Sequence, residues 1–111
     1  ESINILCMRW DNWRTFVKPG RIDFLKIDIE GAEFDFMPSI KDYLEQEMPI
    51  VYLSLHAPFF DEKLREEKLQ IIIDTMSIYD HCYNENLEEI DISSLTSGEN
   101  QVNFCSFVFT K

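Results

Sequence analysis

The chain has 111 residues, 45% apolar and 14% aromatic, enough for one hydrophobic core and too apolar for a disordered segment. Acidic residues outnumber basic ones by 21 to 10, and a formal charge of −11 repels phosphate backbones and anionic headgroups, so neither nucleic acid nor a membrane surface is an expected partner. Cys7, Cys82 and Cys105 are odd in number and lack a C-x-x-C spacing, so free, mostly buried thiols are expected rather than a disulfide framework or a zinc site. No apolar run has the length of a membrane span, and the first residues have neither the basic nor the apolar part of a leader, which points to a cytoplasmic protein. The first residue is Glu1 rather than Met, as expected of a trimmed chain or a fragment.

Residues 3–8 form a short apolar run broken by Asn4, read as a strand. The stretch from Trp10 to Val17 reads as a short helix, and Pro19-Gly20 ends it. Residues 22–29 mix Ile, Phe and Leu with charged residues up to Gly31, the pattern of a central strand with a sharp exit. Met37, Ile40, Leu44 and Met48 recur at helical spacing, with Pro38 suited to a first turn, which predicts a helix over residues 39–47. After Pro49, residues 50–56 are rich in β-formers and read as a buried strand. Leu64, Leu69, Ile72, Met76 and Tyr79 make one stripe of a helix over residues 61–79, with Asp61 and Glu62 at its positive end. Residues 81–92 and 103–109 read as an antiparallel strand pair separated by a polar stretch from Thr96 to Gln101, with His81 in a surface turn. The fold class is therefore α/β, a mixed sheet with an antiparallel pair at its C-terminal end.

The densest chemical signal is Asp23-Phe24-Leu25-Lys26-Ile27-Asp28-Ile29-Glu30-Gly31-Ala32-Glu33. In open α/β sheets ligands bind beyond the C-terminal ends of the strands, where Asp28, Glu30 and Glu33 gather. Strand alternation puts Lys26, Asp28 and Glu30 on one side. A purely structural account is also open, in which Glu30 and Glu33 favour a helix N-terminus and Lys26 neutralises Asp28. Asp28, Glu30 and His56 together also form an oxygen-and-imidazole donor set suited to magnesium or manganese.

Residues 22–33 resemble the most characteristic stretch of FkbM-type methyltransferases, an Asp-hydrophobic-hydrophobic-Lys-Ile-Asp-x-Glu-Gly-x-Glu strand and turn. Around it, residues 5–11 resemble the family's strand leading to a Leu-Asp pair, with Trp10 in place of Leu. Residues 50–56 resemble its next strand, with Ser54 where a Glu is usual, and residues 103–109 its closing strand. The resemblance implies the C-terminal part of a Rossmann-like domain that transfers a methyl group from S-adenosylmethionine to a hydroxyl of a sugar or natural product. Asp28 would then meet the methionine end of the cofactor or the acceptor, with Glu30 beside it as a cofactor-binding residue. His56 lies one strand over, about 5 Å away, as a general base or as a strand-end histidine bonded to backbone. Phe59 and Phe60 either wall an acceptor pocket or pack in the core.

Gly20, Gly31 and Gly98 are the only glycines, so no glycine-rich cofactor turn is present in these residues, and residues 1–111 are expected to be inactive alone. Two rival classes remain open: a non-catalytic α/β binding or assembly module, and a divalent-metal-dependent hydrolase using Asp28 and Glu30. A strand at residues 24–29 without its usual neighbour would expose an edge, so a homo-oligomer joined through that edge is expected.

Overall fold

A short, strongly β-forming segment after Pro49 organises the molecule: β2, Ile50–Leu55, is flanked by a strand on each side, with alternate residues Val51, Leu53 and Leu55 fully buried. The computed structural model describes residues 2–111. In chain order the elements are α1 (Trp10–Val17), β1 (Phe24–Ile27), α2 (Glu33–Ser39), α3 (Lys41–Glu47), β2, α4 (Glu62–Met76), β3 (His81–Tyr83), β4 (Glu89–Ile90), α5 (Gly98–Val102) and β5 (Cys105–Thr110). Single 3-10 turns occupy Ala57–Phe59 and Ile92–Thr96.

The five strands form one mixed sheet in the order β1-β2-β5-β3-β4. β1 and β2 are parallel and joined through α2 and α3, whereas β5 enters between β2 and β3 and is antiparallel to both. The expected antiparallel pair at the C-terminal end is thus present as β3 with β5. Residues paired across a sheet share a face, so Ile27, Leu53 and Phe107 form one buried row and Val51, Phe109 and Cys82 the next. Phe34 and Met37 of α2 and Leu69, Ile72 and Met76 of α4 complete this core.

Several elements differ from the sequence expectation. Residues 3–8 form no strand; Ile3, Ile5 and Leu6 are open to solvent, because a strand is held by a ladder partner and this run has none. Cys7 is correspondingly exposed, leaving Cys82 buried and Cys105 half-buried. The helix expected over residues 39–47 is present as α3 from Lys41, but a further short helix, α2, precedes it, the two separated at Ile40 (φ −108°, ψ 12°), and Pro38 stands near the end of α2. A proline there removes an N–H from the helix, consistent with its termination one residue later. Leu64 remains partly exposed, and α4 buries Leu69, Ile72, Ile73 and Met76 instead.

The run 81–92 is interrupted by a turn in which Asn84 Oδ1 accepts the backbone N–H of Asn86 and of Glu88, making β3 and β4 a hairpin. His81 lies in β3 opposite Thr110 rather than in a turn. The polar stretch after Thr96 is α5 rather than open loop. No described helix is long and apolar enough to cross a membrane.

Candidate functional site

β1 stops at Ile27, and the chain leaves the sheet through two consecutive residues of positive φ, Glu30 at 57° and Gly31 at 104°. The second value is one that L side chains rarely adopt, and a Cβ on Gly31 would lie 3.7 Å from the Phe59 ring and 3.8 Å from that of Phe60. The turn delivers Glu33 to the start of α2 with its side chain completely buried.

A buried carboxylate needs donors, and Glu33 has them. Its Oε2 accepts the Gly31 N–H at 2.9 Å, while Oε1 accepts the backbone N–H of His56 at 2.7 Å and lies 3.0 Å from His56 Nδ1. The carboxylate only accepts, so Nδ1 carries a proton and, in the neutral ring, Nε2 presents a lone pair. One side chain thereby ties the exit of β1 to the exit of β2.

His56 follows directly on β2, and its ring is almost wholly buried. Nε2 points at the strand ends, 3.3 Å from Asp28 Oδ1 and 3.9 Å from Glu30 Oε1. These two carboxylates are more open, their side chains 47% and 73% exposed. Glu33, Asp28 and Glu30 thus surround one imidazole, the first from behind and the others at the mouth.

Aromatic rings close the flanks. Phe59 stacks on His56 with centroids 5.4 Å apart, Phe104 approaches the same ring at 5.5 Å, and the two phenylalanines meet each other at 5.1 Å. Phe59 and Phe104 are each more than half exposed. Phe60 instead turns its ring edge-on to buried Phe34 at 5.4 Å, under the Lys68 ammonium. Arg65 holds this segment by donating from Nε to the Phe60 carbonyl and from Nη2 to the Pro58 carbonyl.

The sequence expectation that Asp28, Glu30 and His56 lie together is realised in the geometry. Lys26 does not neutralise Asp28: among the described residues the two form no ion pair, and the Lys26 ammonium lies over the Tyr52 ring. Two residues near the imidazole have parts that the sequence does not announce. Glu33 gathers with Asp28 and Glu30 at the strand ends and occupies a helix start, both as expected, but its larger part is to fix His56. Phe104 arrives from the far end of the chain, and nothing local in sequence announces it. Ser54 pairs with Ser106 across strands, Oγ to Oγ at 2.9 Å, so the carboxylate behind His56 comes from α2 rather than from β2.

The family model described as Methyltransferase FkbM domain matches residues 1–92. No curated protein and no solved structure gives a significant match. The match covers most of the chain, including the turn of Asp28, Glu30 and Glu33 and the strand that ends at His56, and the chain belongs to the FkbM methyltransferase family.

Proposed function

We propose that this chain is the C-terminal part of a Rossmann-like domain that transfers a methyl group from S-adenosylmethionine to a hydroxyl of a small-molecule or glycan acceptor. The observation that carries the reading is the Glu33–His56–Asp28 arrangement beyond the ends of two parallel strands, the position at which open α/β sheets present ligands. Glu33 keeps the ring proton on Nδ1 and stabilises positive charge on the imidazole, so the Asp28–His56 pair is suited to hold an acceptor hydroxyl and to take up its proton. Phe59 and Phe104 flank that position with apolar surface, which excludes water from one side of the acceptor.

The fit to the cofactor is partial and electrostatic. Asp28 and Glu30 supply the negative charge that complements the ammonium and sulfonium of S-adenosylmethionine, whose bound form would offer the electrophilic methyl group. Gly31 does not serve as a cradle for the nucleoside, because its open side faces the Phe59 and Phe60 rings, and a Cβ on Gly20 would meet nothing within 4 Å. These glycines therefore offer no seat for the adenosine end, and the reading applies to a protein that carries this segment together with a glycine-rich strand turn. Methyl transfer from radiolabelled S-adenosylmethionine by such a protein, abolished by His56→Ala, is the expected result. Undiminished transfer by that variant would overturn the assignment.

The free edge of β1 supports a further part of the reading, self-association. Among the described residues β1 pairs on one side only, and Phe24 at its start is more than half exposed. An unpaired edge with apolar side chains recruits another strand, here from a second copy of the chain.

A further inference from the structure

We infer that the polar groove beside Phe104 is a second acceptor subsite, which takes an uncharged polyhydroxylated ring, a sugar, and turns away phosphorylated or carboxylated ones. The groove opens where β5 begins, between the turn that follows β3 and helix α5, and encloses about 370 Å³. Small-molecule sites run from roughly 300 to 1,000 Å³, so this space has the size of one. A single side chain links it to the candidate site: Phe104 lines the groove and its ring centroid lies 5.5 Å from that of His56. The register explains the link, since Leu55 pairs with Cys105 and the next residues outward are His56 and Phe104.

The wall of the groove is built from polar side chains that are each held at one end. Asn84 Oδ1 accepts the N–H groups of Asn86 and Glu88, which leaves its NH2 group to donate elsewhere. Asn100 and Asn103 are anchored the other way round. Nδ2 of the first donates to the Ser94 and Leu95 carbonyls and that of the second to the Glu99 carbonyl, so both Oδ1 atoms remain as acceptors. Glu85 commits one oxygen to the Ser106 N–H and keeps the other. Among the described residues, none of these remaining atoms has a protein partner.

Donors and acceptors therefore stand side by side on anchored side chains. A hydroxyl group both donates and accepts, so it answers either kind, whereas a phosphate or a carboxylate only accepts. Anions are held by arginine or lysine, and no basic side chain lines the groove, while Glu85 and Glu99 do. After burial itself, those two carboxylates are what push up the thiol of Cys105 in the groove wall, so their negative field acts there. Phe104, more than half exposed, supplies an apolar face for the C–H side of a sugar ring.

This inference rests on the reading of His56 as the group that takes up the acceptor proton, and deepens it. The ring that carries the reacting hydroxyl sits at His56 beside Phe59, and its neighbour in the acceptor crosses Phe104 into the groove. Neutral glycans are then the acceptors, and nucleotide-activated sugars and uronates are excluded by charge.

Nuclear magnetic resonance of the whole isotope-labelled chain tests this with the methyl glycosides of glucose, galactose, mannose, fucose and rhamnose as probes. At about 50 mM, which reveals dissociation constants into the millimolar range, at least one should shift the Asn84 side-chain amide and the backbone signals of Phe104 and Ser106 in a saturable way. Signals of Lys63 and Gln70 on α4 should stay in place. Glucuronate and glucose phosphate should bind at least about 10-fold more weakly than the best neutral probe. Phe104→Ala, at a largely exposed ring, should keep the thermal transition and weaken binding about 10-fold. Glu99→Arg, at an exposed side chain, leaves that ring in place and should narrow the gap between neutral and phosphorylated sugar. No saturable shift with any of these glycosides would overturn the inference, as would shifts confined to residues outside the groove, an anionic sugar bound as tightly as the neutral ones, equal affinity in folded Phe104→Ala, or an unchanged gap in Glu99→Arg. Methyl transfer by the complete protein to an acceptor without sugar, with the groove signals unmoved, would remove the subsite and leave the methyltransferase reading standing. Saturable sugar binding in the groove with no methyl transfer to any glycan would do the reverse.

Discussion

Glu33 Oε1 accepts the backbone N–H of His56 at 2.7 Å and faces its Nδ1 at 3.0 Å, so a single buried carboxylate oxygen fixes both where His56 sits and which of its nitrogens looks outward. Residues 23 positions apart in sequence are locked by one acceptor. Replacing Glu33 by Ala strands the His56 and Gly31 N–H groups in the interior, and a destabilisation of about 3 kcal/mol is expected from unsatisfied buried donors alone. Urea unfolding followed by circular dichroism measures it. A change below about 0.5 kcal/mol, the range of ordinary surface substitutions, would show that Glu33 does not hold the site.

Asp28 should behave in the opposite way. Its side chain is about half exposed and its contact is with Nε2 across the mouth, so Asp28→Asn should leave the thermal transition nearly unchanged. In a protein that carries the complete domain, turnover should fall by roughly 100-fold, the scale of a positioned charge or proton-transfer group. Steady-state methyl transfer assays decide this, and equal turnover of variant and wild type would sink the assignment of Asp28.

A pH-dependent contribution to stability is expected from His81, on the exposed side of the sheet. Its Nδ1 lies 2.8 Å from Glu89 Oε2, and this hydrogen bond raises the imidazole above its ordinary value of 6.5. A group held more basic in the folded state stabilises fully below the unfolded value and loses that contribution as pH rises through the folded one. NMR titration should therefore place the His81 midpoint above 6.5, with a return toward 6.5 in Glu89→Gln. Identical midpoints in the two proteins would contradict the pairing.

The thiols should separate by reactivity. Cys7 is exposed, whereas burial pushes the thiols of Cys82 and Cys105 up to about 12. Since the thiolate is the reactive form, a disulfide reagent at about pH 8 should modify Cys7 rapidly and the other two only on denaturation. Fast labelling of Cys82 in the folded chain would mean that β3 is not packed against β5 as described.

Self-association through β1 is testable by light scattering coupled to size-exclusion chromatography at micromolar concentration. Dimers or larger species are expected, and Phe24→Lys, which adds charge to the free edge, should shift them toward monomer. A wild-type chain that remains monomeric throughout would remove the edge from consideration.

The sequence by itself determined the elements whose pattern is local: the buried alternation of β2, the apolar stripe of α4, and the Asp28-to-Glu33 stretch that carries the family resemblance. It also placed Asp28 and His56 on adjacent strand ends, because parallel strands joined by helices put their C-terminal ends side by side. Residues 3–8 misled, since an apolar run becomes a strand only when a neighbour supplies its ladder. What the tertiary structure alone decided is the direction of Glu33 and the arrival of Phe104. The first depends on the positive φ of Glu30 and Gly31, which turns a carboxylate suited to a helix start into the interior. The second depends on β5 inserting between β2 and β3, which brings Phe104, at the entrance to β5, next to His56. Neither is encoded in a local period, because a turn's exit direction and a strand's choice of neighbours are settled only when the burial of all elements is satisfied together.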